Sequence, residues 1–322
     1  MGYCHYKCYD EIPDAKITAV CDVRETFAKE RIKAHCIERH ESEELAPRVY
    51  GDIDALLVAE SIDAVDICTP SYMHADMVVK CLKAGLHVLC EKPMALNTAD
   101  TERILQTVKE TQKKFMVAHV VRFMSPYGYL KQIVESNKYG KPLRLDFKRL
   151  SSIPRWSWND WMRNENLSGG VGFDLSVHDL DFVSSLLGTS YQSGYSLVHP
   201  ITNNSSYIHT TLVYQNTTVT CEASWYNADV PFQADFLAVF ENGYVQFQGG
   251  NLDDNGEQIQ TDTRNEKKDL GINVSSDNAY TNEIAYFVHC VINDLPIEYI
   301  TPENSAEIVK TVETLLKTSR TV

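Results

Sequence analysis

AVDICTPSYMHADMVVKCLKAGLHVLCEKP, residues 64–93, holds a strand, a helix and a second strand in succession. Residues 64–70 are an apolar run stopped by Pro70. Residues 74–85 have helical period and a stop at Gly85, and 87–93 is another apolar run, ended by Pro93. Strands joined through a crossover helix lie parallel in one sheet. Both runs end in polar, turn-forming residues, CTPSYMH (68–74) and CEKPM (90–94). Open α/β sheets bind ligands outside the carboxyl ends of their strands, so both ends point at one crevice.

The same alternation extends in both directions. KITAVCDV (16–23) reads as a strand and 24–40 as a charged helix. VYGDIDALLVAESI (49–62) carries a strand end and a short helix. Residues 98–114 read as a helix opened by a Thr98 cap, and FMVAHVVRF (115–123) as one more strand. The texture changes after about residue 125: 141–150, 207–226 and 235–249 alternate apolar and polar residues, as sheets with one buried face do. Asn242-Gly243 inside FLAVFENGYVQFQ (236–248) signals a hairpin. Helices are expected near 173–187, 279–293 and 302–319, and a solvated loop at 262–269. The expected fold class is α/β. A Rossmann-like parallel domain covers 1–123, and an α+β domain with a large, mostly antiparallel open sheet covers 124–322. The last helix would pack back on the first domain.

Composition narrows the function. With 44 acidic against 30 basic residues the net charge is −14, which disfavours nucleic acid and anionic membrane as partners. No apolar run is long enough to span a bilayer and no leader opens the chain, so a cytoplasmic protein is expected. The nine scattered cysteines fit reduced thiols, with Cys21, Cys68 and Cys90 read as buried strand residues. In that compartment the sequons at Asn204 and Asn216 carry no meaning. Cys4 and Cys8 lie one helical turn apart, but no further Cys or His completes a metal quartet.

Three features carry chemistry. Asp22 ends a strand twenty residues after Gly2, the spacing at which a carboxylate accepts the ribose hydroxyls of NAD and repels a 2′-phosphate. A solvent-facing strand-end aspartate is the plainer reading, and Arg24 leaves room for NADP. Lys92, in Glu91-Lys92-Pro93, stands at the crevice mouth, where it can donate to a substrate oxygen. In SGGVGFDLSVHDLDF (168–182), Asp174 and His178 are four apart and share a helical face. His178 can carry the proton of an alcohol as hydride leaves, with Asp174 orienting it. A surface His–Asp pair is the alternative; no metal is expected, since hydride chemistry needs none. Arg155, Trp156, Trp158, Trp161 and Arg163 suggest aromatic and basic pocket walls, or equally loop residues packed under the sheet.

Taken together, AVCDV, CTPSYMH, AGLHVLCEKPMAL, MVAHVVRF and SGGVGFDLSVHDLDF resemble the glucose–fructose oxidoreductase, inositol dehydrogenase and MocA family. The resemblance implies reversible NAD(P)-dependent oxidation of a hydroxyl on a sugar, inositol or related polyol. It implies a homodimer or homotetramer formed through the C-terminal sheet. It makes Lys92 the catalytic lysine, His178 the acid/base histidine and Asp174 its acidic partner. Thr69, Pro70, His74, Glu91 and Lys92 match nicotinamide and ribose contacts. His119 and Arg122 match strand-end positions facing cofactor or substrate, and Trp161 and Tyr280 are further substrate-contact candidates. Relatives open with a strand and a glycine-rich turn, whereas MGYCHYKCYD (1–10) begins inside that turn, with Gly2 as its third glycine and His5 just beyond. A first strand and two glycines are therefore expected to be missing, with weakened NAD binding as the result. Reduction of keto-sugar nucleotides or dihydrodiols, or a non-catalytic cofactor-sensing role, are the competing readings.

Overall fold

The computed structural model describes residues 1–321 except 41, 43, 45, 202–204, 261–263, 273, 275 and 276. The N-terminal third contains α1 (Gly2–Cys8), β1 (Ala19–Cys21), α2 (Glu25–Arg39), β2 (Arg48–Tyr50) and α3 (Ile53–Ala59). It continues through β3 (Ala64–Ile67), α4 (His74–Lys83), β4 (His87–Glu91), α5 (Thr98–Thr111) and β5 (Phe115–Ala118). All strand pairs here are parallel, in two pieces, β1–β2 and β3–β4–β5, with no ladder between the pieces among the described residues.

β4 shows why its run is continuously apolar. Val88 and Cys90 enter the core cluster on one face, and Leu89 enters another cluster on the opposite face. The opposite face is covered by α10 (Ala279–Ile292), through Ile284, Ala285 and Phe287, together with Cys8 and Ile12. A late element thus packs on the sheet of the first part of the chain.

The second part holds α6 (Ser125–Glu135), β6 (Pro142–Ser152), α7 (Glu165–Ser168) and α8 (Val177–Leu187). Strands β7 (Ser193–Ile201), β8 (Ser205–Val213), β9 (Thr218–Tyr226), β10 (Gln233–Phe240) and β11 (Tyr244–Gln248) follow. After β12 (Asn251–Asp254) and β13 (Glu257–Ile259) come α9 (Arg264–Asp269), α10, α11 (Pro302–Lys317) and β14 (Arg320–Thr321). Nine strands form one sheet in the order β13-β12-β11-β10-β6-β9-β8-β7-β14. Only β6–β9 and β7–β14 are parallel. The β10–β11 hairpin turns at Glu241–Gly243, as Asn242-Gly243 predicts. Phe147 on β6 pairs with Cys221 and Phe236, and its ring contacts Tyr127 of α6 and Phe182 of α8, so those helices cover the buried face. α11 buries Ile308, Val309, Val312 and Leu315 in the same core.

Several local expectations change. Asn97, not Thr98, caps α5, its side chain accepting from the Asp100 N–H, while Thr98 bonds Glu313 of α11. The run 115–123 is a strand only to Ala118 and then a tight 3₁₀ turn, Val120–Phe123. Cys21 is exposed and Cys68 only partly buried. The charged segment forms α9 rather than a loop from residue 264 on; 262, 263 and Asn204 lie outside the described residues.

Candidate active site

The carboxyl ends of β3, β4 and β5 meet the segment leading into α8. Glycines prepare that segment. Gly169 and Gly170 both take positive φ, +75° and +66°. A Cβ on Gly169 would lie 2.6 Å from Phe173, so the close return of the chain requires glycine. Gly172–Ser176 then forms a π-helical turn before α8. Such wide turns recur where a helix must present a group to a site. Here it presents Asp174, whose carboxylate Oδ1 and backbone carbonyl accept from Lys92 Nζ at 2.8 and 2.7 Å. Lys92 and Asp174 side chains are 13% and 19% exposed, so the pair borders solvent without being in it. The expected Asp174–His178 pairing is replaced by Asp174–Lys92, because the wide turn displaces the i, i+4 register.

Two histidines flank this pair. His119, at the end of β5, is buried, and neither ring nitrogen has a hydrogen-bond partner. Burial drives its pKa down to about 4; Asp181 opposes this, and the charges of Arg122 and Lys92 add to it. His178 Nδ1 is likewise buried and unpartnered. Burial, then the charges of Lys92, Arg149 and His119, hold its pKa well below the ordinary value. Both imidazoles are therefore neutral at pH 7. The Thr69 hydroxyl, at the end of β3, is a third buried polar group without a partner.

Other expected site residues are placed differently. His74 is buried with its ring nitrogens 2.7 Å from the Pro93 carbonyl and 2.9 Å from the Thr69 carbonyl. It ties together the loops carrying Thr69-Pro70 and Lys92-Pro93 rather than offering itself to a ligand. Arg122 is taken up by partners within the protein. It is 4% exposed, donates to both Asp181 oxygens at 2.6 and 2.8 Å, and donates to the Tyr299 carbonyl. Tyr280 lies against the His5 ring, 5.9 Å between centroids. Trp161 packs partly buried against the group containing Ile153, Met162 and Val171. Gly2 packs near Cys68, 3.5 Å from its Cβ.

His5 faces inward. Its Nδ1 lies 2.9 Å from Asp66 and its Nε2 3.2 Å from Glu91. Burial disfavours its charge, but Asp66 and Cys68 outweigh that and its pKa is raised. Glu91 also accepts from the Lys92 backbone N–H, at 3.0 Å, so it braces the lysine rather than reaching outward. Asp22 follows β1 and binds Arg24 through that residue's N–H at 2.8 Å and its guanidinium at 3.3 Å. Arg24 also lies over the Trp158 ring, 5.6 Å away, so the 158–163 segment reaches the end of β1.

Sequence reading missed the buried pairs Arg122–Asp181 and Arg149–Asp179 and the His5–Asp66 contact. The signal for the first two lay in HDLDF (178–182), where two aspartates interrupt the apolar face of a helix. Asp66, inside the apolar run AVDICTP, was a similar interruption.

Residues 1–119 match the oxidoreductase family model described as an NAD-binding Rossmann fold, and 127–246 match the GFO/IDH/MocA C-terminal domain. Over 190 residues the chain is 30% identical to myo-inositol 2-dehydrogenase of Thermotoga maritima, covering 58% of this chain and 52% of that protein. Over 147 residues it is 33% identical to 2,7-anhydro-N-acetylneuraminate hydratase of Mediterraneibacter gnavus, covering 46% and 39%. The chain thus spans about half the length, or less, of these curated relatives. The crystal structure of scyllo-inositol dehydrogenase from Lactobacillus casei, with NAD(H) and scyllo-inositol bound, superposes with a TM-score of 0.76 at 19% identity, covering 99% of this chain and 93% of that one. Matched across both its domains, and sharing that fold throughout, the chain belongs to the Gfo/Idh/MocA family of oxidoreductases.

Proposed function

We propose that this protein is an NAD(P)-dependent dehydrogenase acting on a CH–OH group of an inositol, a sugar or a related polyol. The observation that carries this reading is the Lys92–Asp174 pair, set beside His119, buried with both ring nitrogens unpartnered, and His178, whose Nδ1 is buried and unpartnered. Hydride acceptance is what a bound nicotinamide would supply. The unpartnered Thr69 hydroxyl and the Asp22 carboxylate, at ends of parallel strands, are groups suited to hold such a cofactor. Arg24, lying on Asp22, supports use of NADP as well as NAD.

The protein's own residues handle the proton. Lys92 donates to the substrate oxygen, which favours the alkoxide-like charge that develops as hydride leaves. Asp174 fixes the ammonium in place by two contacts. His178, neutral, accepts the hydroxyl proton and returns it in the reverse direction. Trp158 and Trp161 wall the second-domain side, with polyol specificity in residues 151–168. Nine unpaired cysteines support a cytoplasmic, reducing location. The nine-stranded sheet offers a surface for a homodimer or homotetramer.

Reduction of a keto-sugar nucleotide is the second reading, since the same Lys92, Asp174 and His178 would serve it on another substrate. NADH formation across a panel of inositols, aldoses and nucleotide sugars tests both. Turnover with inositols or free sugars supports the first, and turnover confined to nucleotide sugars supports the second. Absence of turnover and of cofactor binding across the panel contradicts both.

A further inference from the structure

His5 is held where the mechanism has no use for it. The first turn of α1 brings its Nδ1 to the end of β3, where Asp66 and Cys68 project toward the same point. The imidazole nitrogen, the carboxylate oxygen and the sulfur all lie within 4.8 Å of one another. Asp66 Oδ1 lies 3.2 Å from His5 Nδ1 and 3.5 Å from Cys68 Sγ. Donors around a tetrahedral zinc-type ion stand about 3.3–3.7 Å apart, given its bond lengths, so these atoms occupy nearly one face of such a site. The set is mixed N, O and S, which selects zinc or cobalt over magnesium or calcium.

Two further observations point the same way. Metal-ligating histidines usually donate their second ring N–H to a carboxylate, and His5 Nε2 stands 3.2 Å from Glu91 Oε1. Glu283 of α10 is fully buried and neither of its carboxylate oxygens has a hydrogen-bond partner. It lies near His5, Glu91 and Asp66 but outside the three-atom group. Buried carboxylates without partners are rare unless something is there to bind them. Tyr9 donates to Asp66 Oδ2 at 3.1 Å, which leaves Oδ1 turned toward Cys68.

We propose that His5, Asp66 and Cys68 form a site for one divalent transition-metal ion of the zinc type, with Glu91 beside the second imidazole nitrogen. The exchange balances in charge: the ion enters as His5 Nδ1 and the Cys68 thiol each release a proton. His5 then remains neutral with its Nε2–H on Glu91. The site joins α1 to the end of β3, at the margin of the crevice. It is independent of the dehydrogenase reading, because none of its ligands handles substrate.

The test uses the full chain, freed of metal with a chelator and titrated with Co²⁺ and with Zn²⁺. The expected result is about one ion retained per chain after desalting, with a thiolate-to-cobalt charge-transfer band. Cys68→Ser should abolish that band, and Asp66→Asn should weaken binding at least tenfold, while Cys4→Ser changes neither. Second-shell and ligand losses in other metal sites weaken affinity by about 10–100-fold, which sets the scale. If Cys68→Ser fails to fold, Asp66→Asn and the wild-type spectrum still decide. No retained ion, no thiolate band in the wild type, or equal retention by wild type and Asp66→Asn would each overturn the proposal.

Discussion

Lys92 and Asp174 make two hydrogen bonds while remaining partly exposed, whereas His119 is buried with both ring nitrogens unpartnered and His178 has a buried, unpartnered Nδ1. That contrast leaves Lys92 held in place by Asp174 and the histidine nitrogens open to a partner. It also has a consequence for stability. His119 has a folded pKa of about 4 against an ordinary value near 6.5. As pH falls from 6.5 toward 4 the unfolded chain takes up a proton that the folded chain refuses, so stability is lost over that window. The shift is equivalent to up to roughly 3 kcal/mol. His178, depressed in the same direction, adds to the acid-side loss. His5 works in the opposite sense: its pKa is raised, so its contribution is full below 6.5 and declines as pH rises above it. Urea unfolding at several pH values should give a shallower acid limb for His119→Gln than for the wild type. Identical limbs would show that His119 is not buried neutral.

At the scale of elements, the strand–helix alternation was legible because the strands are mainly apolar runs, continuously buried in β5 and nearly so in β4, with turn formers between them and the helices. It misplaced the end of the 115–123 run because apolar residues there continue into a 3₁₀ turn that is also buried. Periodicity cannot separate a buried turn from a buried strand. It likewise could not show the π turn at 172–176, which is set by Gly169 packing on Phe173 and by Gly172 facing Leu316 of α11. Gly169→Ala forces a Cβ into a left-handed residue and against a ring. It should cost about 2–4 kcal/mol, read from the urea midpoint, and should also lower turnover by moving Asp174. The α5 cap is a milder case: Asn97→Ala should cost about 1 kcal/mol in the same measurement.

On the scale of the whole molecule, α11 packs its Ile308, Val309 and Val312 into the main core and reaches α5 through Glu313, so the chain's last helix ties both parts together. Ile308→Ala should therefore destabilise the protein by about 2–5 kcal/mol in urea unfolding. The last helix was legible from its period, but α10 was not recognisable as a cover for the first sheet. Its partners, Leu89 and Met116, are nearly two hundred residues away in sequence, and no local pattern encodes such a pairing. The candidate site was legible as residue types, EKP and D-x-x-x-H, but the pairing was not, because Lys92 comes from the first sheet and Asp174 from the second part. That assembly across the two parts is the central claim, and Lys92→Ala tests it most directly. With cofactor and the best polyol of the panel, the variant should keep its fold and cofactor affinity while turnover falls by about 10²–10⁴-fold. Turnover within a factor of about two of the wild type, with fold intact, would contradict the assignment of Lys92 to the proton chemistry.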